Sequence, residues 1–184
     1  MSKKQLDKST MLAPVPVVLV SCGNMEDSNI TTVAWTGIIN SDPPLVYISL
    51  RPSRYSYDII TNTKEFVINI PNEKLVYETD FCGIKSGKEI DKFNVLKLTK
   101  ERTNIVEAPL IAECPINLEC KLIEVKKLGT HDMLIGEILS CNIDNIYLDD
   151  KGSVDYSKLS LISYMGSDYY IVNKKVGYKG MSLK

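Results

Sequence analysis

Within the β-type run 116–128, residues 116–122 place an apolar side chain at every second position, Ile116, Leu118, Cys120 and Leu122, with Asn117, Glu119 and Lys121 between them. This is the period of a strand with one buried face, because successive strand side chains point to opposite sides. The same period returns over 133–146 at Met133, Ile135, Leu139, Cys141 and Ile143. The two runs read as one long hairpin, turning through Gly129 and Thr130 and carrying the single histidine, His131, in its turn region. Strands of this length need a sheet around them. Further β-type segments at 15–21, 31–36, 45–50, 65–70, 161–162 and near 169–172 supply one. Helical signals are few and short: 54–61 with Ser53 as N-cap, 73–82 between an Asn72 cap and a Gly83 stop, and a turn over 88–93. Strands and helices do not alternate as a doubly wound parallel sheet requires. The predicted class is therefore mainly β, an antiparallel barrel or sandwich with a few peripheral helices.

At 184 residues the chain is long enough to bury one substantial core, and a single domain over 1–184 is expected, with 1–12 as a polar lead-in. The 22 Lys plus Arg against 23 Asp plus Glu give a formal charge of -1, with no positive excess for non-specific nucleic-acid binding. The five cysteines are widely spaced and form no C-x-x-C pair, which fits reduced thiols in a cytoplasmic protein and gives no metal site. The N-terminus has a second reading. Lys3, Lys4 and Lys8 precede an apolar run from Met11 to Val20, and Leu19-Val20-Ser21-Cys22 has the form of a lipoprotein cleavage site. Pro14 and Pro16 interrupt that run where an export signal should be helical, so a buried first strand over 15–21 is favoured. No other run approaches the roughly 20 apolar residues needed to cross a bilayer.

Chemistry concentrates between Asn29 and Asp58. Ser49, Arg51, Ser53, Arg54, Tyr55 and Ser56 gather two guanidinium groups and several hydroxyls where a strand ends and a helix begins. Two guanidiniums, hydroxyls and helix N-terminal amides suit a phosphate. An ordinary solvated loop is the competing reading. Upstream, residues 31–37 surround the one tryptophan, Trp35, with small or hydroxyl-bearing neighbours against which a flat ring can lie. Composition alone favours a Trp35 packed in the core. Residues 81–93, with Gly83, Gly87 and four charged residues from Lys85 to Asp91, suit a loop over a ligand or a plain surface loop, and Lys92 there can offset negative charge. No Gly-x-Gly-x-x-Gly follows a strand, which argues against a Rossmann nucleotide site.

In order and spacing these segments resemble the flavin reductase-like, or flavoredoxin, family of FMN-binding split barrels. The likeness is carried by 14–21 (PVPVVLVS), 29–37 (NITTVAWTG), 43–51 (PPLVYISLR), 65–71 (EFVINIP), 86–93 (SGKEIDKF) and 129–138 (GTHDMLIGEI). It implies a six-stranded antiparallel Greek-key barrel, a homodimer with FMN near the subunit interface, and a first strand that cleavage at Cys22 would destroy. It also implies that Thr32, Val33, Ala34, Trp35 and Thr36 flank the flavin ring, largely through backbone groups. Ser49, Leu50, Arg51, Arg54, Tyr55 and Ser56 would surround the phosphate, with Lys92 near the ring or its polar edge. His131 would face the side where a nicotinamide or other partner approaches. The activity implied is hydride transfer from NADH or NADPH to FMN and delivery of electrons to an unknown acceptor. The alternative is an FMN electron carrier with no NAD(P)H turnover of its own.

Overall fold

The computed structural model describes residues 2–183. Its strands are β1 (Val15–Pro16), β2 (Val18–Gly23), β3 (Ser28–Val33), β4 (Thr36–Ser41), β5 (Pro44–Leu50), β6 (Glu65–Ile70), β7 (Lys100–Glu101), β8 (Leu110–Ile111), β9 (Ile116–Lys127), β10 (Asp132–Ile143), β11 (Leu161–Met165) and β12 (Asp168–Val172). Three α-helices join them, α1 (Tyr55–Thr63), α2 (Val76–Ile84) and α3 (Lys92–Leu96). None of these helices is long and apolar enough to cross a membrane.

Seven strands form the main sheet in the order β3-β2-β6-β9-β10-β5-β4, every neighbour antiparallel. Its two edge strands, β3 and β4, are consecutive in the chain, separated only by Ala34 and Trp35. Laid flat, those edges would stand about 29 Å apart at ~4.8 Å per strand, whereas the chain from Val33 to Thr36 reaches only about 10 Å. The sheet must therefore curl into a barrel. The N–H of Ser49 on β5 donates to the Trp35 carbonyl at 2.9 Å, carrying the β4–β5 ladder one pair into the joint. The main sheet has seven strands rather than six, because the strand expected over 31–36 breaks at Ala34–Trp35 into β3 and β4.

The barrel interior is filled by Val18, Val20, Val46, Ile48, Phe66, Ile68, Cys120, Leu122 and Leu134, among others. Leu19, between two of them, points the other way into a second cluster with Ile30, Leu75, Cys82, Phe93 and Ile111. β2 reads as an unbroken apolar run because both of its faces are covered. Over β10 the buried row is the reverse of the expected one. Leu134 is fully buried and Gly136 lies against Phe66, while Met133 and Ile135 are only half-buried. A glycine carries no apolar signal, so an inward row running through it is invisible to periodicity. β9 keeps its expected apolar row inward and buries part of its polar side as well: Glu119 accepts from the N–H groups of Asn104, Ile105 and Val106 and from Asn142 Nδ2, fastening segment 104–106 to the barrel.

Local boundaries also shift. The expected strand over 15–21 divides, with β1 pairing to β11 and β2 to β3 and β6. Arg54, not Ser53, occupies the N-cap of α1, and no side chain caps that helix. Asn72 caps a 3-10 turn over Glu73–Leu75 that precedes α2. Gly83 does not stop α2, which runs on to Ile84. Its role is close approach, since a Cβ there would sit 3.3 Å from Thr32 Cβ. The third helix begins at Lys92, capped by Asp91, which accepts from Asn94 N–H at 3.1 Å.

Candidate functional site

The break at Ala34–Trp35 keeps Trp35 out of the core; it is 42 % exposed. It stands at the rim of a cavity of about 810 Å³ at the barrel seam. Four elements converge there. The end of β5 and the start of α1 bring Arg51, Ser53, Arg54, Tyr55 and Ser56, β3 brings Asn29 and Thr31, the segment after α2 brings Lys85, Ser86 and Gly87, and the β9–β10 turn brings His131. Among the described residues Arg51, Arg54, Lys85 and Lys92 line this cavity and no carboxylate does. In a chain of formal charge -1 that is a concentrated positive field.

α1 turns its N-terminus toward this field. The N–H groups of Tyr55 and Ser56, in its first turn, have no intrahelical acceptor. Side-chain caps are the usual partners, and the N-cap here is an arginine with no cap bond. The helix dipole adds to the guanidinium charge at the same place. Ser56, buried, accepts from Asn29 Nδ2 at 2.7 Å, and Gly87 is packed so closely on Asn29 that a Cβ would lie 2.1 Å from its Oδ1.

His131 is fixed from three directions. Its strand end is tied to α1 by Tyr57, whose hydroxyl donates to Asp132 Oδ2 at 2.6 Å. Its ring lies 4.8 Å from that of Trp35, tilted by 44°. Arg51 Nε donates to His131 Nε2 at 3.4 Å, which leaves Nδ1 to carry the proton toward Thr130 Oγ1, 3.1 Å away. Burial, then Arg51 and Arg54, push the imidazole below its ordinary pKa, so the ring is neutral at pH 7.

Lys92 is only 4 % exposed; its ammonium donates to the carbonyls of Ile30 at 2.7 Å and Cys82 at 2.9 Å. Burial, outweighing its thiol neighbours, lowers its pKa. It forms part of the cavity wall and also clamps α2 to β3.

Of the residues singled out in the sequence, Trp35, Arg51, Arg54, Tyr55, Ser56, Lys92 and His131 meet in this cavity. Thr32, Val33, Ala34, Ser49 and Leu50 line an adjoining recess of about 140 Å³ that shares Trp35, both arginines and His131. Val33 and Leu50 bury their side chains in the barrel core, so only their backbone groups face it. Thr36 is turned away: its hydroxyl donates to the Tyr47 carbonyl at 2.6 Å, and it lines a separate apolar groove with Met11 and Leu12. Asn29, Thr31 and Tyr164 were not singled out as site residues. Extending the period of β3 back from Thr31 reaches Asn29 on the same face; Tyr164, on β11, gives no local signal. Of residues 81–93, 81–84 close α2 and 92–93 open α3, and Lys85–Gly87 between them form cavity wall.

A family model described as flavin reductase like domain matches residues 10–158. Among solved structures, flavoredoxin of Desulfovibrio vulgaris (Miyazaki F) is 34 % identical with a TM-score of 0.92, the alignment covering 100 % of both chains. Flavoredoxin from Methanosarcina acetivorans is 26 % identical, again over 100 % of both, with a TM-score of 0.91. An uncharacterised protein of Archaeoglobus fulgidus is 30 % identical over 145 residues, 79 % of this chain and 81 % of that one. The seam-closed barrel, the cationic cavity beside its one tryptophan and these likenesses agree: the chain belongs to the flavin reductase-like family.

Proposed function

We propose that the protein binds FMN in the seam cavity and works as an oxidoreductase, drawing hydride from NADH or NADPH and passing electrons to an acceptor. The observation that carries this reading is the cavity's lining, among the described residues, of four cations with no carboxylate, beside a cluster of rings. The residues fit the cofactor. A volume of about 810 Å³ lies within the range of small-molecule sites. A phosphate would be held by Arg51 and Arg54, by the hydroxyls of Ser53 and Ser56, and by the uncapped first turn of α1. Backbone groups of Thr32 to Trp35, with Ser49 and Leu50, would flank the ring, and Lys92 would lend charge to its polar edge. Thr36 is not included, because its hydroxyl is already spent on Tyr47.

FMN, when bound, supplies the hydride and single-electron chemistry, so the chain need only bind, orient and tune it. His131, neutral and accepting from Arg51, contributes an uncharged ring on the partner side rather than a proton from Nε2. A homodimer is part of the proposal. It is supported by Ile38 and Ile39, both exposed on the edge strand β4, next to the apolar groove that shares Trp35 with the cavity. A second reading, an FMN electron carrier without NAD(P)H turnover, is favoured by the end-to-end likeness to a flavoredoxin.

Anaerobic mixing of the FMN-loaded protein with NADH or NADPH separates the two. Bleaching of the oxidised flavin band is the expected result, and a band that persists for minutes with both donors leaves the carrier. A protein that takes up no FMN on titration refutes both.

A further inference from the structure

Residues 161–172 form a hairpin, β11 and β12, that lies beyond the stretch matched by the family model. Its base is well held. Leu159 and Ile162 are buried, Leu161 bridges to Asn72, and Glu73 N–H donates to the Ser160 carbonyl at 3.0 Å. Its outer strand is not. β12 pairs only with β11 and four of its five residues are exposed, while β1 covers the other side of β11 at only two residues, Tyr164 and Ser163. Two strands with so little covered surface are marginal alone.

Tyr164 lies toward the turn, paired to Val15 on β1 and Tyr169 on β12, and is the hairpin's residue in the cavity lining. Opposite it in the ladder, Tyr169 packs its ring 5.4 Å from Tyr164, tilted by 59°. The Tyr169 hydroxyl donates to Asp80 Oδ1 on α2 at 3.1 Å. α2 runs directly into Lys85–Gly87, another part of the same wall. One hydrogen bond thus joins the two elements whose ends present Tyr164 and Lys85–Gly87 to the cavity.

We propose that Asp80 is a positioning residue for the cavity, acting through Tyr169 to hold the ring of Tyr164 as a fixed wall. Asp80 itself does not line the cavity. The inference rests on the proposed flavin site for its ligand readout but not for its structural one.

The test compares the full chain with Tyr169→Phe, Asp80→Ala and Asp80→Asn, by hydrogen exchange and by FMN titration. Loss of the bond in Tyr169→Phe and Asp80→Ala should speed exchange across 161–172 while β9 and β10 keep their protection. FMN affinity should fall about three- to tenfold, the scale of one partly exposed hydrogen bond. Asp80→Asn, which still offers an oxygen to Tyr169, should recover most of both. Unchanged exchange in Tyr169→Phe overturns the proposal. So does faster exchange with undiminished affinity, because the bond would then shape the hairpin without positioning Tyr164. If the parent chain takes up no FMN, the flavin reading falls by itself and the ligand-free exchange pattern still decides whether the bond holds the hairpin.

Discussion

Replacing Gly136 with alanine sets two effects of opposite sign against each other. Substituting Ala for Gly lowers the entropy of the unfolded chain and stabilises by about 0.4–1 kcal/mol where the backbone accepts it. Against this, the new Cβ would stand 2.6 Å from Phe66 Cζ, 3.0 Å from Cε1 and 3.5 Å from Cys120 Cβ. Carbon atoms pack best at about 3.5–4.0 Å, so the overlap with the ring is roughly 1 Å. Phe66 is fully buried among Val18, Val20, Ile68 and Leu134 and has no free space to turn into. Overpacking of this kind costs about 1–3 kcal/mol. The clash wins, and the net loss should be about 1–2 kcal/mol, or roughly 2–8 °C in Tm for a chain of this size. Urea denaturation measures it directly: the midpoint should drop with the slope unchanged. Phe66→Leu removes the offending ring edge, so the double variant should lose less than the sum of the singles by about 1 kcal/mol or more. A Gly136→Ala protein as stable as its parent, or strict additivity in the cycle, would refute the packing argument.

Trp35 and His131 are the chain's only tryptophan and histidine and their rings touch, so Trp35 fluorescence should titrate with His131, an imidazolium being the better quencher. Emission should rise with pH about a midpoint below the ordinary value near 6.5, and Arg51→Ala should move that midpoint upward; a midpoint at or above 6.5 in the parent contradicts the cationic surroundings. Glu119→Gln should cost about 1–3 kcal/mol by thermal melting, because an amide offers one oxygen to donors that now share two. Burial raises the Glu119 pKa, but its hydrogen bonds together outweigh it and hold the carboxyl below the usual range. Its stabilisation is therefore complete above the unfolded value of about 4.3 and fades as pH falls through the lower folded value, a dependence the Gln variant should lack. Under native conditions a thiol reagent should modify Cys141 alone, since the other four are buried and burial pushes Cys22 up to about 11 and Cys82 up to about 12; a second rapid thiol would show the core opening.

The strands were legible where their chemistry was local. The 65–70 and 45–50 segments keep nearly the expected limits, because β-branched runs between turn residues specify a strand with little help from elsewhere. What the sequence hid depends on contacts far along the chain. Trp35 reads as core by composition, and its place at the rim follows only from the joint between two edge strands. The arginine- and serine-rich part of the candidate site lies within residues 49–56 and is legible as a cluster. Lys85–Gly87 and Tyr164 join it through the packing of α2 and of the terminal hairpin, which no spacing announces. Glu119 reads as a solvated strand residue, and its burial is made tolerable by amides of residues 104–106.

The two-residue joint between β3 and β4 has a thermodynamic consequence. The cavity takes its wall from β3, from the joint and from the chain after β5, so a molecule bound there would touch both sides of the joint. Such a molecule binds the folded chain and not the unfolded one, and at a hundred times its Kd it adds about 2.7 kcal/mol to the cost of unfolding. An occupant of the proposed site would thus act as a rivet beside the joint, resisting the parting of the two edge strands.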